Sequence, residues 1–292
     1  PINKILNKKD LYKKIYSIKN QPNAIPYVTS YYKKDWGFCL SENSLKKLNK
    51  IKDREKFLVK INSKFKKNGV LNYGEIYIKG KSKNEILIST YICHPSMANN
   101  ELSGPLVSIA LAKHYIKKKN NKSIRIIFVP ETIGAISYIN KNFNHLKKNV
   151  IGGYILTCIG DNKNYSYLSS KYNKSLSDTC ARNAFKTLGI KYKNYSFLKR
   201  ASDERQFNSP IIDLELGSIM RTKYSEFKEY HTSLDTFGKV VTLKGLTGGF
   251  TIAKKSIDNI QNYKITQKRL NTRKKSKKNP LSKFICEPQL GK

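Results

Sequence analysis

The sequence predicts an α/β protein of three layers, α/β/α, with a mostly parallel central sheet and a small β-rich inserted subdomain. Three observations carry that expectation. Residues 86–92 (ILISTYI) and 124–129 (IRIIFV) are near-continuous apolar runs of strand length, as expected where a strand is covered on both faces. Segments with helical spacing of apolar residues follow such runs repeatedly, and strands that alternate with helices form parallel sheets. The chain is 292 residues long and 39% hydrophobic, enough to build a substantial core.

Each element follows from its local pattern. Residues 1–24 read as a helical lead-in, because Ile2, Ile5, Leu6, Leu11, Ile15 and Ile18 recur at roughly helical intervals between lysines. Residues 25–82 read as the β-rich insert, opening on an irregular aromatic stretch with Pro26, Trp36 and Gly37 and continuing into strands over 57–61 and 71–78. Residues 83–262 read as the α/β domain. Its expected order is strand 86–92, helix 102–118, strand 124–129, short helix 133–143, strand 151–159, helix 175–188, strand 211–216 and helix 243–260. Residues 263–292 read as a basic linker or tail, since 264–283 holds too few apolar side chains to pack.

Composition excludes several classes. No apolar run reaches the roughly 18–20 residues that span a bilayer, and no signal-like segment opens the chain. The formal net charge of +37 points first to nucleic acid. Only eight of the 57 basic residues are arginine, however, and the 49 lysines are spread along the whole chain. Readers of bases lean on the planar arginine fork, so a nucleic-acid partner is not expected for this portion. The five cysteines, Cys39, Cys93, Cys158, Cys180 and Cys286, form no CxxC pair. They read as reduced thiols of a cytoplasmic protein, with Cys93 and Cys158 packed as small hydrophobes. An oligomer is left open.

In an open α/β sheet, ligands bind beyond the carboxyl ends of the strands, and those positions carry the chemistry here. After 86–92 comes CHPSMANNELSGP, with His94, Asn100 and Glu101. After 124–129 comes PETIG, with Glu131. Strand 151–159 ends at Gly160-Asp161, ASDER with Asp203 precedes 211–216, and YHTSLD with His231 follows it. Two histidines and several carboxylates on one rim suit a borderline cation such as zinc. Such an ion makes bound water a nucleophile near neutral pH, and a free carboxylate can take its proton. That chemistry hydrolyses amides. No GxSxG, HExxH, Walker or dinucleotide-binding glycine motif is present. As rival readings, Asp161 and Asp203 suit turn or helix caps, Asn100 and Glu101 suit a helix start, and His114 and His145 suit the surface.

The run His94 to NNELSG, the glutamate of PETIG, Ser202 to Phe207 and YHTSLDT occur in the order found in the zinc-dependent aminopeptidase superfamily. Over residues 20–290 the chain more closely resembles bacterial proteins labelled as polysaccharide-biosynthesis proteins with an aminopeptidase-like domain. The resemblance implies that His94 and His231 are metal ligands, that Glu131 is the general base, and that Asp203 lies near the substrate amino group. It also implies departures: Asn100, Thr132 and Thr157 stand where the superfamily has carboxylate ligands. One zinc ion is therefore expected rather than two, completed by an oxygen from Asn100, Glu101 or Asp161. The substrate class is a peptide or small-molecule amide. A fold that has lost catalysis and serves as a scaffold or binding protein in surface-polysaccharide biosynthesis is the alternative. Family members carry further sequence at both ends, so the chain is expected to be an internal piece of a longer product.

Overall fold

The computed structural model describes residues 1–30, 33–64 and 66–264. In chain order, β1 (Ile2–Asn7), α1 (Lys8–Tyr12), β2 (Ile15–Tyr16), β3 (Phe38–Cys39), α2 (Glu42–Asn49) and β4 (Lys56–Ile61) come first. β5 (Gly74–Ile78), β6 (Ser82–Tyr91), α3 (Ser103–Tyr115), β7 (Lys122–Val129), α4 (Ile133–Asn149) and β8 (Val150–Leu156) follow. The chain then forms β9 (Ser166–Leu168), α5 (Leu176–Thr187), β10 (Lys193–Tyr195), α6 (Glu204–Phe207), β11 (Gly217–Met220) and α7 (Leu243–Asn262).

Seven strands form one sheet in the order β10-β9-β11-β8-β6-β7-β5. Its centre, β11-β8-β6-β7, is parallel throughout, whereas β5 and β9 run antiparallel to their inner neighbours. Two apolar layers enclose it. On one face, α3, α5 and α7 contribute Val107, Leu111, Phe185, Ile252 and Ile257 to a core with Ile86, Ile88 and Tyr154. On the other, α4 and α6 pack Ala135, Ile139, Leu146 and Phe207 over Leu87, Ile127 and Ile155. The alternation Ile86, Leu87, Ile88 therefore feeds both cores from one strand, which is why residues 86–92 read as a continuous apolar run. The expected three-layer α/β/α architecture with a mostly parallel sheet is what the chain forms.

The start of the chain differs from its expected helix. Residues 2–7 pair as a strand with residues 56–61, a helix of little more than one turn follows, and Ile15–Tyr16 pairs with Phe38–Cys39. Ile2, Ile5 and Leu6 are compatible with either period, and β-branched residues with a partner strand favour the extended form. The expected insert over 25–82 is also less uniform than its sequence suggests, since it contains α2 and its last strand, β5, joins the main sheet. Residues 211–216 form a turn rather than a strand, with the strand displaced to Gly217–Met220. His145 lies on the surface as expected, tethered to β6. Its Nε2 lies 2.7 Å from an oxygen of buried Glu85, which also pairs with Arg125. The basic segment 264–283 lies outside the described residues except for Lys264.

The carboxyl ends of β6, β7, β8 and β11 lie side by side, and close packing there shapes the loops. A side chain at Gly104, in the first turn of α3, would stand 2.4 Å from both the Leu156 carbonyl and the Thr90 hydroxyl. Only glycine lets the helix start so near the ends of β6 and β8. Among the described residues, no helix is long and apolar enough to cross a membrane. Ile88→Ala, in the buried centre of β6, is expected to cost about 2–5 kcal/mol in urea unfolding. Ile116→Ala, at a position 68% exposed, is expected to stay within about 0.5 kcal/mol.

Candidate metal centre

A wide, π-type helical turn, Ala98–Leu102, joins the loop after β6 to α3. Its consecutive buried side chains face three neighbours. Asn99 accepts from the Gly160 amide at 2.8 Å and donates to Asp161 at 3.2 Å. The backbone N–H groups of Asn99 and Asn100 donate to the two oxygens of Asp235 at 2.8 and 2.9 Å. Glu101 reaches back to the strand end, accepting from the Cys93 amide at 2.7 Å and meeting His94 Nδ1 at 2.6 Å.

That last contact sets the chemistry of His94. A carboxylate on Nδ1 keeps the proton there and leaves Nε2 as the lone-pair nitrogen. Nε2 lies 3.8 Å from Glu131 Oε2. Burial disfavours a charged His94, but the hydrogen bond and charge of Glu101 outweigh it and raise the ring above its ordinary value. His231 differs: burial, with the nearby His94 ring, holds it down at about 4. The two imidazole centres are 5.2 Å apart at an interplanar angle of 32°. Two imidazoles on one tetrahedral zinc, with Zn–N bonds of about 2.0–2.1 Å, place their centres roughly 5 Å apart. The spacing of the ring centres matches that value.

Glu131 stands where β7 ends. Burial pushes its carboxyl up, opposed by a hydrogen bond from the Ser202 hydroxyl at 2.5 Å. The next residue, Thr132, has φ +62°, a costly conformation for a β-branched side chain. Its amide donates to Asp203 Oδ1 at 2.8 Å, tying the bend to the loop before α6. Asp203 is fully buried, and burial followed by the charge of Glu131 pushes its carboxyl well above the usual range. Its Oδ2 has no hydrogen-bond partner among the described residues.

The expected site residues thus separate by place. His94 neighbours both Glu131 and the His231 ring, and Asp203 is tied to Thr132, the residue after Glu131. Asp161 faces elsewhere, accepting from Lys163 N, Thr222 N and Oγ1 and Asn99 Nδ2. Glu101 is engaged behind His94. Asn100 sits beneath the site, its Oδ1 3.5 Å from the Tyr91 hydroxyl and its buried Nδ2 without a partner among the described residues. Thr157 bonds the Tyr91 hydroxyl and the Asn100 carbonyl.

Residues unmarked in the sequence complete the centre. Asp235 lies inside YHTSLD, four residues from His231, and only the fold shows that it grips the turn after β6. Tyr230 stacks on His231 with centroids 3.9 Å apart. Tyr27 arrives from the segment before β3. Cys93 is not a packed core thiol: it is exposed, with Sγ 3.0 Å from His94 Nδ1 and 3.3 Å from the Glu131 amide. Cys93, His94 and Glu131 offer donor atoms all within 4.8 Å of one another. Cys158 is buried as expected. The described cysteines are free thiols.

The fold is a mixed α/β one whose relatives are aminopeptidase-like. Residues 17–263 match the family described as a domain of unknown function, DUF4910, and the chain belongs to that family. It is 37% identical over all 292 residues to a Clostridium acetobutylicum protein named as a proposed polysaccharide biosynthesis protein with an aminopeptidase-like domain. The chain spans 62% of that relative's length. A solved structure of a proposed peptidase from the same species is similar at TM-score 0.84 and 37% identity, covering 90% of this chain and 60% of that one. A zinc aminopeptidase from Bacillus subtilis shares the fold at TM-score 0.55 and 15% identity, over 66% of this chain and 50% of its own.

The low value of His231 has a definite sign. The unfolded ring titrates near 6.5 and the folded one near 4, so between these values the unfolded chain binds the extra proton. His231's contribution to stability is complete above 6.5 and is lost as pH falls toward 4. Followed by NMR in metal-free protein, its ring is expected to protonate near pH 4. A midpoint near 6.5 would contradict the described burial.

Proposed function

We propose that this chain is a zinc-dependent hydrolase of N-terminal peptide bonds or related amides, built around one ion held by His94 and His231. The observation that supports the reading is His94, whose ring centre is 5.2 Å from that of His231 and whose Nε2 is 3.8 Å from the half-buried Glu131 carboxylate. When bound, zinc supplies Lewis-acid polarisation of the scissile carbonyl and of water. Asn100, whose buried Nδ2 has no partner among the described residues, is the residue assigned in this reading to complete the set with its amide oxygen. Asp161 acts in support of this set through Asn99.

Glu131 takes the proton of the attacking water and passes it to the leaving nitrogen, so that amide plus water becomes acid plus amine. Its raised carboxyl suits that exchange, because a base works best when its pKa lies near the operating pH. Ser202 orients the carboxylate. Asp203, whose carboxyl burial pushes up, anchors Thr132 and keeps the bend rigid. Glu101 fixes the tautomer and direction of His94. The name of the Clostridium relative, which mentions polysaccharide biosynthesis, supports trying an amide from that chemistry as a substrate.

The scaffold reading has its own support, since Thr132 and Thr157 offer no carboxylate and Asp161 is fully engaged by other donors. Two variants separate the readings. Glu131→Gln is expected to keep its zinc and lose about 100-fold or more in turnover of aminoacyl amides. Retained turnover would remove Glu131 from the mechanism. Glu101→Gln is expected to weaken zinc binding about 10–100-fold in chelator competition; unchanged affinity would show that the Glu101 contact does not set His94's affinity for metal.

A further inference from the structure

Tyr27 lies outside the seven-stranded sheet, yet its ring is part of the centre. Its amide donates to the His231 carbonyl at 2.8 Å, the Ser233 amide donates to the Ile25 carbonyl at 2.9 Å, and the Ile25 amide donates to the Ser233 hydroxyl at 3.0 Å. Pro26 bridges Thr232 in antiparallel register, and the Gln21 side chain donates to the Lys228 carbonyl at 3.0 Å. Residues 21–27 are thereby clipped along the loop that carries His231.

The clip fixes the ring. Its centre is 5.0 Å from that of His94 and 5.3 Å from that of His231, while the imidazoles are 5.2 Å from each other. The three rings form a nearly equilateral triangle in mutual contact. Tyr27 meets both imidazoles tilted or edge-on, at 51° and 72°, so it stands across the gap between them rather than stacking on one. Behind the ring on that flank stands the backbone of residues 25–27, hydrogen-bonded to residues 231–233. Ile92 and Ile133, at the ends of β6 and β7, remain 42% and 62% exposed and leave the rim open there.

We propose that Tyr27 is a specificity-determining residue that closes one flank of the centre, so that the site takes the end of a peptide or acylated amine and not an interior bond. This deepens the amide-hydrolase reading and rests on it. The body of the ring does this work, so phenylalanine replaces tyrosine without loss of selectivity.

Two measurements test it. Diethyl pyrocarbonate labelling of metal-free protein, resolved by peptide, reads access to each imidazole, with the part-exposed His145 as the internal reference for an intact fold. Tyr27→Ala is expected to speed labelling of His94 and His231 about tenfold, and Tyr27→Phe to leave it unchanged. Tyr27→Leu replaces the alanine variant if the His145 rate shows that the latter is unfolded. Equal rates at His94 and His231 in wild-type protein and in the folded variant would overturn the proposal. In turnover, the preference for free over N-acetylated aminoacyl amides is expected to fall about tenfold or more in Tyr27→Ala and to persist in Tyr27→Phe. An unchanged preference would also overturn it. Absence of hydrolysis by the wild-type protein would contradict the hydrolase reading, while the labelling contrast would still decide whether Tyr27 closes the centre.

Discussion

The centre depends on the five-residue turn Ala98–Leu102. Asp235 accepts two of its backbone N–H groups, Asn99 ties it to Gly160 and Asp161, and Glu101 steers His94. All of these contacts are buried, so a lost partner leaves an unpaired polar group at about 1–3 kcal/mol. One turn therefore couples the loops after β6, β8 and β11, and with them both imidazoles. Its wide π-type geometry lets backbone N–H groups meet the loop after β11 while the Asn99 and Glu101 side chains reach the loops after β8 and β6, and such turns recur at functional sites.

Around that hub, support and chemistry fall to different carboxylates. Glu101, Asp161, Asp203 and Asp235 are occupied by backbone or side-chain donors and hold the frame, while Glu131 is the one directed at His94 Nε2. Strain gathers here as well. Ser96, Thr132, Cys158 and His231 all have positive φ, conformations that persist only where surrounding contacts impose them. For Thr132 the Asp203 carboxylate imposes it, and for His231 the backbone clip to Tyr27 contributes.

Much of the architecture was legible because buried strands leave unbroken apolar runs, and the positions of His94 and Glu131 followed from the ends of β6 and β7. What was hidden is long-range. Nothing local tells that Tyr27 will lie against His231, that Asp235 will grip Asn99 and Asn100, or that Glu101 turns back to His94 rather than outward. Asp161 shows the limit from the other side: a carboxylate after a strand looks the same whether it faces the site or caps a neighbouring loop. At the N-terminus, spacing compatible with two periods was resolved by the partner strand 56–61, which sequence periodicity does not contain.

The large positive charge also gains a clearer meaning. Of 20 acidic residues in the chain, Glu101, Glu131, Asp161, Asp203, Glu204 and Asp235 gather in and around this centre, whereas the lysines are dispersed. Scarce carboxylates concentrated and buried at one rim mark where the molecule spends its electrostatics. A zinc-edge anomalous difference map from crystals grown with zinc tests the metal centre most directly. One peak is expected between His94 and His231, within about 2.0–2.2 Å of an imidazole nitrogen of each. A map without a peak there, or with zinc bound only elsewhere, would contradict it.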